Sequence, residues 1–395
     1  MTTEEIKEMA NKYLTNNYGE RLLSIVRGAG AYVWDAEGKR YLDFVAGIAT
    51  NNVGHCHPKV VEAIIDQAGK LMHVSNLYYI EPQVMLAKRL TELSFADKCF
   101  FCNSGAEANE AAIKLVRKYS KEKVGSDKFE IITMLKSFHG RTITTITATG
   151  QEKYHKGFEP LSPGFKYVPF DDLKAIEEAI TVNTCAIMVE PIQVEGGINI
   201  PGDDYLPGLR HLCNEKNLLL IFDEVQTAMG RTGKLFGYET FGVEPDIITM
   251  AKALGGGFPI GCMATKDHIA ESLTPGSHAS TFGGNPLACS AALASLNAIV
   301  DEKLSENAHK MGAYLVDKLS SIKSDIIKDI RGRGLIVGVE LNIEGKDLVS
   351  RCAKSGLILN CIGTSVIRFV PPLIVNKEHV DEAVSIFKHE LENIQ

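Results

Sequence analysis

Short apolar runs alternate with stretches of helical spacing along the middle of the chain. The runs at 98–103, 131–135, 185–189, 218–222 and 247–250 are rich in Ile, Leu, Val, Phe, Met and Cys, and each is bounded by polar or small residues. Apolar runs this short, with little alternation, read as strands buried on both faces. Around and between them, 58–72, 105–119 and 203–214 repeat apolar residues every three to four positions, the spacing of a helix with one buried side. Strands separated by helices argue for an α/β core with a mainly parallel sheet. Beyond Pro286 the order changes. An apolar helix pattern, LACSAALASLNAIV, leads to a helix near 307–322, strand-like segments at 335–341 and 366–370, and a last helix near 377–392. This predicts a second, smaller domain joined to the first by a long helix.

Composition narrows the function classes. The 395 residues are enough for two domains around a large core, with 45% apolar and 23% charged residues. A net charge of −7 gives no basic footprint for nucleic acid or an anionic membrane. No apolar stretch approaches a membrane-spanning length, and the opening MTTEEIKEMANKY is unlike a secretory leader. Nine scattered cysteines, an odd number, favour a reducing cytoplasm.

Three motifs invite chemistry that their setting does not support. Cys99 and Cys102 sit three apart on a strand, so their thiols point to opposite faces and read as core residues. His55-Cys56-His57-Pro58 has no further ligands at metal spacing, and Pro58 fits a helix start, so no metal site is expected. Gly332, Gly334 and Gly338 lack the spacing of a dinucleotide fingerprint, and a strand follows them.

Other residues do converge on one chemistry. The run 218–222 ends in Asp223-Glu224-Val225-Gln226, and 247–250 ends in Ala251-Lys252 before Gly255-Gly256-Gly257. An acid at one strand end and a lysine just past another is the pair that pyridoxal phosphate chemistry needs. The lysine forms an imine with the cofactor, and the acid keeps the pyridine nitrogen protonated. On an extended stretch Asp223 and Val225 share a face, so Val225 can pack on the ring while Gln226 reaches its phenolic oxygen. Asn103-Ser104-Gly105-Ala106-Glu107 joins a strand to a helix with capping-box spacing, suited to a phosphate and equally to an ordinary turn. Phe138-His139-Gly140-Arg141 offers an aromatic plane and a guanidinium; alone it is also a core phenylalanine before a surface arginine. Ser280-Thr281-Phe282-Gly283-Gly284 is a sharply shaped loop with hydroxyls. Arg368, between apolar residues, needs a carboxylate partner.

Taken together, NSGAEANE, FHGRT, EPIQ, FDEVQ, AKALGGGFP and STFGGNPLA, in this order, resemble the class III pyridoxal-phosphate-dependent aminotransferases of fold type I, and within them the acetylornithine branch. The resemblance covers nearly the whole chain. It implies a large α/β domain with a mainly parallel sheet over 56–290 that binds pyridoxal 5′-phosphate. It also implies a smaller α+β domain from 291–395, to which 1–55 contributes. It further implies Lys252 as the imine-forming lysine and Asp223 as the partner of the ring nitrogen. Val225 and Phe138 would sandwich the ring, Gln226 would bond its phenolic oxygen, and Ser104, Gly105 and Ala106 would hold the phosphate. Thr281 would reach the phosphate in a neighbouring subunit, giving a homodimer with shared sites. Arg141, Ser280 and Tyr18 would take a substrate carboxylate, and Glu195 with Arg368 would form a gate. The implied substrates are small molecules: an acylated ornithine or similar terminal amine, and 2-oxoglutarate or glutamate. Ornithine, succinylornithine and 4-aminobutyrate remain alternative donors, and a non-catalytic cofactor-binding protein is the remote alternative. Val194, Ala228, Ala279 and Leu22 depart from the family pattern, each adding bulk near the expected site.

Overall fold

The computed structural model describes residues 1–19, 21–125 and 127–394. Its central sheet has seven strands, in the order Lys98–Cys102, Gly261–Thr265, Ile247–Met250, Leu219–Asp223, Thr184–Val189, Glu130–Met134 and Phe165–Val168. Neighbouring strands are parallel except where Gly261–Thr265 runs against both of its neighbours. The fold is therefore α/β with a mainly parallel sheet, as the alternation of runs and helices predicts. The five predicted runs are all strands, with every end within one residue of the expected one. The reversed strand went unrecognised because GCMAT carries small residues and little strand signal.

Parallel strands discharge their loops at one edge. Here Cys102, Met134, Val189, Asp223 and Met250 all end on the same side, and the segments that follow them meet there. An open α/β sheet binds ligands at this edge, outside the carboxyl ends of its strands. The helix Gly105–Lys123 crosses one face of the sheet and buries Ala108, Ala111, Ala112, Leu115 and Val116 against it.

The remaining strands form two smaller sheets. Ile327–Arg333, Ile336–Leu341, Val366–Phe369 and Asn360–Ile362 pair antiparallel. Ile25–Ala29, Tyr32–Asp35 and Arg40–Asp43 form a meander that Leu357–Ile358 extends in parallel, so the first and last parts of the chain share a sheet. The helix Pro286–Asp301 packs on Pro58–Ala68, on Glu81–Leu93 and on the turn that carries Lys252. Asn285 caps it through Ala288 N–H at 2.8 Å, and Pro286 stands at its first turn. His55 and His57 are hydrogen-bond partners, with Nε2 at 2.7 Å from Asp43 and 3.3 Å from Glu302, and Pro58 opens a helix. All nine cysteines are unpaired, and Gly332 to Gly338 lie in a strand hairpin. No helix among the described residues is long and apolar enough to cross a membrane.

One contact sets how closely the helix Leu304–Ser320 approaches its neighbours. A Cβ on Gly312 would lie 1.9 Å from the carbonyl oxygen of Gly334, and backbone cannot swing aside. Gly312→Ala should therefore cost about 1–3 kcal/mol or more through overpacking, read as a lower melting temperature. An unchanged melting temperature would contradict this close approach.

Candidate active site

The segments leaving the five strand ends enclose a cleft of about 330 Å³ lined by Ser104, Gly105, Ala106, Asn109, Phe138, His139, Glu190, Asp223, Val225, Gln226 and Lys252, among others. Ser104 caps the helix Gly105–Lys123, its Oγ accepting from Glu107 N–H at 3.2 Å. The expected capping box is only half made. The Glu107 carboxylate reaches back to Asn103, taking its backbone N–H at 2.5 Å and its Nδ2 at 2.9 Å, rather than to Ser104. The first-turn N–H groups of Gly105 and Ala106 have no intrahelical partner and stand at the positive end of the helix. A Cβ on Gly105 would meet both Val225 methyls at 2.9 Å, so glycine lets Val225 close over the helix start.

Asp223 ends its strand and is 4% exposed. Its Oδ2 accepts from Asn109 Nδ2 at 2.7 Å and lies 2.8 Å from His139 Nδ1, while its Oδ1 accepts from Val225 N–H at 3.0 Å. The strand stops here, so Val225 does not share a strand face with Asp223 as expected. It reaches the cleft through a turn that the Asp223 side chain itself caps. Glu190 is also buried, and its Oε1 accepts from Phe138 N–H at 2.9 Å. Burial first, then the neighbouring Asp223, pushes its carboxyl well above the usual range.

Lys252 follows Met250 on a turn with φ +43°, a strained conformation for a residue with a side chain. Desolvation is the main cause that pushes its amine down to about 8, with Arg368 acting in the same direction and Glu195, Asp223 and Glu190 opposing. Across the cleft, Arg368 is 1% exposed and donates to Glu195 Oε1 at 2.5 Å and to Asn360 Oδ1 at 3.1 Å. Gln226 Nε2 donates to the same Glu195 oxygen at 3.1 Å. Burial alone would raise the Glu195 carboxyl, but Arg368, Lys252 and these two hydrogen bonds hold it below its usual range.

The expected residues thus divide in space. Ser104, Gly105, Ala106, Phe138, Asp223, Val225, Gln226 and Lys252 line one cleft, and Glu195 and Arg368 are linked to it through Gln226. Arg141 is exposed beside it, its guanidinium 4.3 Å from the Tyr154 ring centre and 5.5 Å from that of Phe138. Ser280 is bonded to Asn103 Nδ2 at 3.2 Å, and Thr281 is exposed on the same loop, against a different hollow lined by Phe100, Lys114 and His278. Tyr18 is exposed on the N-terminal segment under Arg21. Of the departures, Val194 does not add bulk to the cleft. It is fully buried in a satellite core with Ile192, Ile198, Ile336 and Val366. Ala228 is buried in the main core, and Leu22 and Ala279 are exposed. Asn109, His139 and Glu190 lie inside the quoted motifs but received no role from the sequence. Only the fold shows that they surround Asp223.

A class III aminotransferase family model matches residues 13–391. The chain belongs to the class III aminotransferases. It is 54% identical to the acetylornithine aminotransferase of Methanocaldococcus jannaschii over 98% of this chain and 97% of that one. It is 53% identical to that of Caldanaerobacter subterraneus subsp. tengcongensis over 97% and 98%. Among solved structures, ornithine aminotransferase from Toxoplasma gondii ME49 superposes with a TM-score of 0.97 at 36% identity, over 99% of this chain and 95% of that one. Acetylornithine aminotransferase from Elizabethkingia anophelis gives 0.90 at 35%, over the whole of both chains.

Class III aminotransferases work with pyridoxal 5′-phosphate, and the cleft fits that group on its own terms. Free helix-start N–H groups suit a phosphate, a buried carboxylate suits a protonated ring nitrogen, and Gln226 Oε1 is a buried polar atom without a partner. The depressed Lys252 amine can be checked without turnover. In cofactor-free protein, labelling by an amine reagent should rise through a midpoint near pH 8, because burial disfavours the ammonium and the free amine prevails above that pH. A midpoint near the ordinary 10.5 would show that Lys252 is solvated.

Proposed function

We propose that the enzyme transfers the terminal amino group of N2-acetylornithine to 2-oxoglutarate, giving N-acetylglutamate 5-semialdehyde and glutamate, a step of arginine biosynthesis. The observation that carries this reading is a depressed lysine amine facing a buried carboxylate, with a buried arginine covered by a glutamate beside them. The names of the relatives at about half identity favour the acetylated donor. Ornithine is the second reading, favoured by the superposition on the Toxoplasma gondii enzyme.

Pyridoxal phosphate, when bound, supplies a protonated pyridine ring that withdraws electrons from the substrate carbon. Ser104, Gly105 and Ala106 would hold its phosphate, Phe138 and Val225 its two faces, Asp223 its ring nitrogen and Gln226 its phenolic oxygen. Lys252 Nζ would carry it covalently and, once released, take a proton from one carbon and return it to another. An amine already deprotonated near pH 8 can serve as that base at little cost. Arg141, with Ser280 and Tyr18, would take the carboxylate of the ω-amine donor. Glu195 neutralises Arg368 while that donor is bound. When Glu195 turns aside, Arg368 receives the α-carboxylate of 2-oxoglutarate or glutamate.

We further propose that 56–290 forms the cofactor-binding domain, and that 1–55 folds with 291–395 as the small domain, an arrangement supported by the sheet they share. A homodimer is supported by the apolar side chains of Leu77, Tyr78, Tyr79 and Phe282, 59% exposed or more, next to the Thr281 loop. Asn76 ties the two stretches, donating to Gly283 O at 2.9 Å. Thr281 would then complete the phosphate site of the partner. Nine unpaired thiols fit work in a reducing cytoplasm.

An amine-donor panel with 2-oxoglutarate tests the substrate. N2-Acetylornithine should give the highest kcat/KM, above ornithine, succinylornithine and 4-aminobutyrate, and Lys252→Ala should abolish turnover. Preference for free ornithine would establish the second reading.

The gate is tested by single-turnover rates of the two half-reactions. Arg368→Ala should weaken the glutamate half-reaction by about 2–5 kcal/mol, the usual cost of truncating one side of a buried charged pair, and spare the acylornithine half. Glu195→Gln should do the reverse. Equal damage to both halves in Arg368→Ala would make Arg368 a structural residue.

A further inference from the structure

Behind Asp223 stands a second layer of polar side chains that the reaction as derived above does not use. Asn109 lies one turn into the helix Gly105–Lys123, and Thr249 lies on the strand Ile247–Met250. Thr249 is the register partner of Asp223 in the adjoining parallel strand, so both side chains leave the sheet on one face, the face that carries Asn109. Both are buried, Thr249 completely. Asn109 Nδ2 donates one hydrogen bond to Asp223 Oδ2 and one to the carbonyl oxygen of His139, each at 2.7 Å. Its Oδ1 accepts from the Thr249 hydroxyl at 2.6 Å.

These bonds leave the amide only one orientation. A flipped Asn109 would turn its oxygen towards the His139 carbonyl and the Asp223 carboxylate, two groups that only accept, and both bonds would become repulsive contacts. The Thr249 hydroxyl adds the third constraint, because its proton has the Asn109 oxygen as acceptor. Asp223 Oδ2 is thereby filled by Asn109 and His139. Oδ1 carries the Val225 N–H and keeps a lone pair for the cleft.

We propose that Asn109 and Thr249 are positioning residues for amino transfer. Thr249 locks the Asn109 amide, and Asn109 fixes which oxygen of Asp223 faces the cofactor ring. This rests on the reading that Asp223 pairs with the ring nitrogen. Lys252, Glu190, Glu224 and His139, the titratable groups around Asp223, are unchanged in the variants that test it.

The test compares Thr249→Val, Thr249→Ser, Asn109→Leu and Asp223→Ala as holoenzymes, by the pH midpoint of the visible absorbance of the bound cofactor and by kcat and KM. Less positive charge on the ring raises the proton affinity of groups attached to it, so a loosened Asp223 should move the midpoint upward. Asp223→Ala should move it furthest. Thr249→Val, which replaces hydroxyl by methyl outside the cleft, should move it in the same direction and lower kcat about 2–10-fold, the value of one neutral hydrogen bond. Asn109→Leu, which removes a bond to a charged group, should lower kcat about 10–100-fold. Thr249→Ser should restore both quantities, and KM should change little throughout. If Asp223→Ala shifts the midpoint while Thr249→Val does not, the proposal is overturned and the role of Asp223 stands. A lower kcat or melting temperature in Thr249→Val with an unmoved midpoint overturns it equally. If Asp223→Ala itself leaves the midpoint in place, the reading of Asp223 fails and takes the proposal with it. Should Asn109→Leu fail to fold, the Thr249 pair decides alone.

Discussion

A carboxylate buried at a strand end constrains everything near it. Asp223 is out of water and needs donors around it, since a buried polar group without partners destabilises the fold. Its donors come from three separate elements: Asn109 from the first helix of the large sheet, His139 from the loop after Glu130–Met134, and Val225 from its own turn. These elements meet at one atom pair because the strands before them end at the same edge. Strand order and helix placement therefore answer one electrostatic requirement, and the resulting cleft opens on the side of the carboxylate left uncovered.

A second buried charge ties the C-terminal strands to this edge. Arg368 sits in an otherwise apolar strand, and its guanidinium meets Asn360, its register partner in the adjoining strand, and Glu195. Nearby, the fully buried Arg231 has no carboxylate partner among the described residues. It donates to the carbonyl oxygens of Leu335, at 3.1 Å, and Pro371, at 2.5 Å, and to Asn52. Arg231 thus fastens the loop that follows Gln226 to the start of one C-terminal strand, to the end of another, and to the N-terminal segment. Glu195 Oε1, accepting from both Gln226 and Arg368, joins the same loop to the Arg368 strand a second time.

Much of this was legible in the sequence because a strand buried on both faces, or a helix buried along one side, writes a plain signal. The segments 247–250 and 377–392 coincide with their elements to the residue. Elements with mixed or exposed composition left no such mark. Ile25–Ala29 is mostly exposed, and Ile327–Arg333 is polar at every second or third position. Lys252 and Asp223 could be found because each stands alone at a strand end, where an ionisable group needs a reason. Asn109 and Thr249 could not, since their meaning lies in bonds to residues 114 and 140 positions apart from Asn109. Val194 shows the opposite error. Motif position put its bulk in the cleft, whereas its side chain turns into the small core beneath the Arg368 strand. The backbone of a motif fixes where a residue stands, and the packing behind it fixes where the side chain goes.

Glu195, Arg368 and Lys252 also act on one another. Glu195 is the strongest influence that favours the Lys252 ammonium, and Arg368 is the strongest charge that disfavours it. While Glu195 covers Arg368, the pair presents little net charge to the lysine. If Glu195 withdraws, Arg368 remains as an uncompensated positive charge in a poorly solvated cleft, where Coulomb interactions are strongest. The ammonium is then less stable still, and the free amine is favoured further. A single carboxylate movement would therefore open an anion site and, until an anion fills it, favour the free amine of Lys252. Both effects follow from the closeness of the same three groups, with no additional moving part.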